Sequence, residues 1–185
     1  MPDALMLFAA GFGTRMGALT ADRPKPLVEV AGKPLIDHAL DLAEGVGPLR
    51  RVANAHYRAD QLAAHLDGRD VALSREEPEI LDTGGGLRAA LPLLGPDPVF
   101  ALNTDAVWSG PNPLRLLAEA WDPERMDALL LCVPVAMRCR RPTARVQPLT
   151  SQAPTSLIAP PRIPESYHTS ALARKWRSRC CRSSS

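Results

Sequence analysis

Apolar and polar positions along residues 1–134 switch repeatedly between the pattern of a buried strand and the period of a helix. Residues 4–10 form an unbroken apolar run that stops at a glycine loop, as expected of a strand covered on both faces. Within 34–44, Leu35, Ile36, Ala39, Leu40 and Ala43 share one helical face, and Pro34 suits a first turn because its missing N–H is not needed there. Residues 52–55 predict a short strand, 59–66 a second helix and 71–73 another extended piece. A helix is expected over 85–94 despite Pro92, and a strand over 99–103; 113–120 and 128–133 repeat the pair. Strand–helix alternation with short links predicts an α/β fold with a mainly parallel sheet covered by helices on both faces. Ligands of such sheets bind outside the carboxyl ends of the strands. Polar clusters at 11–15 and 103–105 follow the two most apolar strands, which makes them the first candidates for chemistry.

The length of 185 residues with 45% apolar content suffices for one globular domain. No apolar run reaches the roughly 18–20 residues of a membrane span. The run at 4–10 has an acidic flank and enters a glycine loop, unlike a secretory signal, so a cytoplasmic protein without a membrane partner is expected. The net charge of +2 conceals two compositions. Residues 135–185 hold ten bases against one acid, Glu165, whereas the first 134 residues hold twelve bases against nineteen acids. Cys139, Cys180 and Cys181 fall in the basic part at spacings that match no zinc pattern.

The glycine loop runs Ala9-Ala10-Gly11-Phe12-Gly13-Thr14-Arg15-Met16. Glycines after a strand let backbone amides approach phosphate oxygens, and Arg15 adds charge; the same turn also serves as plain structure. Gly17-Ala18 breaks the P-loop pattern, and Met16 occupies the small-residue position of the dinucleotide fingerprint. Lys25 lies between Pro24 and Pro26, which stiffen its loop; by itself it is equally a solvated lysine. Asp105 ends an apolar strand, where it suits either a metal or the cap of the turn at 109–111. His38 and His65 sit on helices with no second ligand at metal spacing, so surface or packing roles are expected. Cys132 is expected in the core, and Trp108 either in the core or beside the pocket.

The segment Arg23-Pro24-Lys25-Pro26-Leu27-Val28-Glu29-Val30-Ala31-Gly32-Lys33-Pro34 joins the glycine loop to three further motifs: Asn54-Ala55-His56-Tyr57, Asp82-Thr83-Gly84-Gly85-Gly86 and Asn103-Thr104-Asp105. In this order the five resemble the sugar-phosphate nucleotidyltransferases. Within them the chain looks most like the bacterial N-acetylmuramate 1-phosphate uridylyltransferases and mannose-1-phosphate guanylyltransferases. The resemblance covers residues 4 to about 133; it departs mildly at Thr104, where the family usually has Gly, and at Asp82, where it often has Glu. It implies the Rossmann-like three-layer nucleotidyltransferase fold and transfer of a nucleoside monophosphate from a triphosphate to a sugar 1-phosphate, with pyrophosphate released. UTP is the favoured nucleotide and GTP the second. A nucleotide sugar for the cell wall is the implied product.

The resemblance also implies roles. Ala10, Gly11, Gly13, Thr14, Arg15 and Lys25 would hold the triphosphate, with Arg15 and Lys25 as the catalytic cations. Gly84 and Gly85 would bring backbone against base or ribose, although a triple glycine is also a flexible helix start. Asn103 would contact the sugar phosphate, His56 the sugar side, and Asp105 the Mg²⁺ that bridges substrate phosphates.

Past Val133 the motifs stop, and the family's late aspartate, in a context like Trp-x-Asp-x-Gly-Thr, does not occur. Residues 135–185 carry six prolines, eight serines and little periodicity, the composition of a solvated tail. The expectation is a C-terminally truncated fold over 1–134 followed by a basic, non-family tail at 135–185, disordered and translated out of frame, that adds little to the core. Nucleic acid is the weaker reading of that charge, because few aromatics interleave it. Two functions follow: a sugar-1-phosphate nucleotidyltransferase, or a catalytically impaired nucleotide-binding fragment of one.

Overall fold

The computed structural model describes residues 1–134, 145–149 and 167–174. In chain order the elements are β1 (Ala4–Phe8), 3₁₀ turns at Thr14–Thr20 and Lys25–Leu27, β2 (Glu29–Val30), β3 (Lys33–Pro34), α1 (Leu35–Glu44), β4 (Arg50–Ala55), α2 (Ala59–Leu66), β5 (Ala72–Arg75), α3 (Asp82–Leu94), β6 (Val99–Asn103), α4 (Pro113–Ala120), β7 (Ala128–Pro134), β8 (Arg145–Leu149) and β9 (Tyr167–Arg174). The main sheet has the order β5-β4-β1-β6-β9-β7-β8. Its first four strands are parallel, and β9 runs antiparallel to both β6 and β7.

Side chains alternate across a strand, and this alternation builds three layers. Leu5 and Leu7 of β1 join Phe100 and Leu102 of β6 in a core closed by Ile36, Ala39 and Leu40 of α1, Leu62 and Leu66 of α2, and Leu114 and Leu117 of α4. Ala4 and Met6 face the other way, onto Leu87, Ala90 and Leu94 of α3. The expected α/β sandwich is therefore present, with α3 alone on the second face among the described helices. α4 starts where the side-chain oxygen of Asn112 accepts hydrogen bonds from the amides of Leu114 and Arg115, while its side-chain amide donates to Leu42 O at 2.7 Å and ties the helix to α1. Pro92 lies inside α3 and gives up the bond its N–H would make to the Arg88 carbonyl; the helix ends two residues later, at Leu94, and Gly95 turns at φ 81°.

The β2–β3 hairpin and the two 3₁₀ turns carry no hydrophobic period and were not expected. The hairpin turn is made by Ala31 and Gly32, both at positive φ, the geometry favoured for two-residue links. Asp37 in α1 is held by His65 of α2 at 2.8 Å and by Arg69 at 2.6 Å. Burial pushes its carboxyl up, but those two hydrogen bonds and charges outweigh burial and hold it below the usual carboxylate range. A depressed carboxylate stabilises the fold above its unfolded pKa of about 3.9 and loses that contribution as pH falls through the folded value. Asp37→Asn should accordingly melt below wild type at pH 7 and converge with it in acid.

The expectation for 135–185 falls largely on residues outside those described. The pieces that are described are strands: β9 lies between β6 and β7, and β7 pairs with β8 and β9. Ending the chain at Pro134 should then strip β7 of both partners and lower the melting temperature by many degrees. An unchanged melt would mark 135–185 as a passive tail.

Candidate active site

The carboxyl ends of β1, β4, β5 and β6 open on one cleft of roughly 230 Å³. Its floor comes from β1 and the residues after it, Phe8 to Gly11, and from Asn103, Thr104 and Asp105 at the end of β6. Lys25 and Pro26 form one rim, Asp82 and Thr83 at the start of α3 the other. Asn54 and Glu76 lie beneath.

Lys25 is presented by a single rigid turn. Leu27 N donates to Pro24 O and Val28 N to Lys25 O, and Pro26 is buried. Its Nζ donates to Asp105 Oδ2 at 2.6 Å across the mouth of the cleft. With side chains 23% and 41% exposed, the pair contributes at most about 1 kcal/mol to stability. The pair's consequence lies elsewhere: it sets a cation and a carboxylate against each other at the cleft.

Thr104 explains its own departure from glycine. It is buried, and its hydroxyl donates to Phe8 O at 2.8 Å, stitching β6 to β1 at the cleft floor. Asp82 adopts φ 55°, a left-handed conformation that Asp tolerates better than most residues.

Of the residues the sequence singles out, Ala10, Gly11, Lys25, Asn103 and Asp105 line the cleft. Gly13, Thr14, Arg15, Gly84 and Gly85 are not among its lining residues. Arg15 is exposed on the 3₁₀ stretch and makes no hydrogen bond or ion pair among the described residues. The glycines divide by what a side chain would meet. A Cβ on Gly11 or Gly84 would find nothing within 4 Å, which leaves room for a ligand. One on Gly85 would lie 2.8 Å from Leu81 Cβ, so that glycine answers to the chain itself. Gly13 combines φ 67° with a Cβ position 2.8 Å from Thr20 Cγ2 and 3.1 Å from Lys25 Cβ, and Thr20 Oγ1 donates to Gly13 O at 3.0 Å. Gly13→Ala should therefore lower the melting temperature, at a backbone cost alone of about 1–2 kcal/mol. Gly11→Ala should leave the melt unchanged and weaken ligand binding, which calorimetry would show.

The other candidates take quieter positions. His56 bonds through Nδ1 to Glu76 O at 2.8 Å and meets Phe12 edge-on at 5.3 Å. His38 bonds to Val30 O, and Trp108 packs against the main core. Cys132 is half-buried, and burial pushes its thiol up. Sequence reading assigned no site role to Thr83 or to the buried Asn54–Glu76 pair. Asn54 was legible as the first residue of the Asn54-Ala55-His56-Tyr57 motif, without a role of its own, and Glu76 was hidden in an acidic run.

Asp105 supplies hard oxygen donors suited to magnesium, which takes only one or two protein carboxylates and completes its shell with phosphates and water. No three His, Cys, Asp or Glu side chains gather into a metal site among the described residues. The donors fit an ion shared with a phosphate ligand, not one caged by protein alone.

Comparison with known proteins bears on this geometry. The profile of the MobA-like NTP transferase domain matches residues 5–177, running past the last motif. An N-acetylmuramate alpha-1-phosphate uridylyltransferase from Caulobacter vibrioides is 48% identical over 139 residues, 70% of this chain and 57% of that protein. The mannose-1-phosphate guanylyltransferase catalytic subunit beta of Drosophila pseudoobscura is 35% identical over 113 residues, 57% of this chain and 30% of the relative. The chain thus spans little more than half the length of the first relative and under a third of the second. A UDP-glucose pyrophosphorylase solved with UDP-glucose shares the fold at a TM-score of 0.64 and 14% identity, over 95% of this chain and 76% of that one. No helix among the described residues is long and apolar enough to cross a membrane. The motifs, the three-layer fold and the profile match agree: the chain belongs to the family of MobA-like NTP transferase domains.

Proposed function

We propose that the cleft binds a nucleoside triphosphate and that the protein transfers its nucleoside monophosphate to a sugar 1-phosphate. The observation that carries this is the Lys25–Asp105 pair at the mouth of a cleft whose glycine wall is open. A phosphate oxygen of the sugar 1-phosphate attacks the α-phosphorus; the new P–O bond forms as the bond to the β-phosphate oxygen breaks, and pyrophosphate leaves. No covalent intermediate is needed, so the protein aligns the reactants and stabilises charge. Ala10, Gly11 and Gly13 place backbone against the triphosphate, with Thr14 beside them. Lys25, freed from Asp105, and Arg15, brought in by its exposed loop, neutralise developing charge. Gly84 passes backbone behind base or ribose, Gly85 keeps the start of α3 clear of Leu81, and Asn103 contacts the sugar phosphate. Asp105 would hold Mg²⁺, which when bound supplies charge neutralisation on the phosphates.

UTP is the favoured nucleotide, on the strength of the uridylyltransferase similarity; GTP is the second, from the guanylyltransferase. A cytoplasmic setting and a cell-wall nucleotide sugar as product go with the same reading. A second reading is binding without turnover. It is favoured by the absence, among the described residues, of any group of three His, Cys, Asp or Glu side chains that could hold a metal. Pyrophosphate release with UTP, GTP, CTP or dTTP and a panel of sugar 1-phosphates separates the two. Release with UTP supports transfer, binding without release supports the second reading, and neither binding nor release overturns both.

A further inference from the structure

Glu76 is 1% exposed and Asn54 3%, and both lie beneath the cleft, outside the Lys25–Asp105 pair. They share a chain of hydrogen bonds there. Asn54 Oδ1 accepts from Ala9 N at 2.7 Å, and Asn54 Nδ2 donates to Glu76 Oε1 at 2.7 Å. Glu76 Oε2 accepts from Leu81 N at 2.8 Å. Ala9 begins the glycine wall, and Leu81 immediately precedes α3, whose first turn is the opposite wall. One carboxylate therefore anchors both sides. Gly86 records the tightness of the fit: a Cβ there would lie 2.4 Å from Glu76 Oε1 and 2.7 Å from Asn54 Nδ2.

We propose that Glu76, acting through Asn54 and the Leu81 amide, is a positioning residue that fixes the separation of the two nucleotide-contacting walls. The role rests on the cleft being the nucleotide site. Burying two polar side chains only to hold a sheet together would be a poor use of them, since an apolar pair of the same shape costs no more. What apolar residues cannot do is orient two backbone amides on either side of the cleft.

The polarity of the chain makes it testable. Glu76→Gln sets an amide hydrogen against either Asn54 Nδ2 or Leu81 N, so one of the two contacts is lost. Asn54→Asp places two carboxylates face to face. Combining Asn54→Asp with Glu76→Gln restores every contact with polarity reversed. The new carboxylate at position 54 accepts from Ala9 N and from the new amide at position 76, whose oxygen accepts from Leu81 N. Calorimetry with a nonhydrolysable UTP analogue and Mg²⁺, on the full chain, reads the effect alongside melting. Each single variant should weaken binding about tenfold or more, and the double variant should return to within about threefold of wild type. Single variants that bind as wild type would overturn the role. Should either single variant fail to fold, a folded double variant that does not bind overturns it, and one that binds supports it. A wild-type chain that binds no nucleotide overturns the nucleotide reading itself, and the positioning role with it.

Discussion

Lys25→Ala should lower the affinity for a magnesium nucleoside triphosphate by roughly tenfold to 150-fold while leaving the melting temperature nearly unchanged. The two parts have separate causes. A hydrogen bond to a charged group contributes about 1.5–3 kcal/mol, which is the loss expected at the phosphates. The partner that Lys25 loses in the free protein is Asp105, and that half-exposed pair contributes at most about 1 kcal/mol to folding. Lys25→Arg should recover only part of the affinity, because a planar guanidinium does not present its charge as the compact ammonium does. Titration calorimetry beside a thermal melt reads both quantities. A large fall in melting temperature with unchanged affinity would make Lys25 a structural residue.

Asp105→Asn should shrink the gain in nucleotide affinity that magnesium brings. Without metal, the Asp105 carboxylate occupies Lys25 and repels a phosphate; the amide does neither. The variant should therefore bind metal-free nucleotide more tightly than wild type. Adding Mg²⁺ should then improve its binding far less, because the carboxylate that shares the ion is gone. Any pyrophosphate release by the wild-type chain should disappear. Equal magnesium dependence in both proteins would place the metal elsewhere.

The fold was legible where periodicity was strong. Helix α2 has its predicted bounds, α1 starts one residue late, and β6 ends at the predicted Asn103. Between β1 and α1 the sequence was silent on structure, because prolines, glycines and local hydrogen bonds shape that stretch without a repeating apolar face. Lys25 and Asp105 were legible as separate candidates from their motifs. Their contact, 80 residues apart in sequence, was not, since nothing in a pattern states which loop ends lie side by side. Arg15 shows the opposite case: a motif residue that the free protein leaves exposed, outside the cleft lining. Thr104 looked like a mild departure and is a buried stitch between β6 and β1, visible only once the two strand ends are adjacent.

The central claim is that the nucleotide occupies the cleft at the carboxyl ends of β1 and β6. Amide chemical-shift mapping with a nonhydrolysable UTP analogue and Mg²⁺ tests it most directly. The largest shifts should fall on Gly11, Gly84 and Asp105, while Val46, Arg115 and Ala118, which line a separate hollow around Met1, should not move. Shifts concentrated around Arg115, with Gly11 and Asp105 unchanged, would contradict the account.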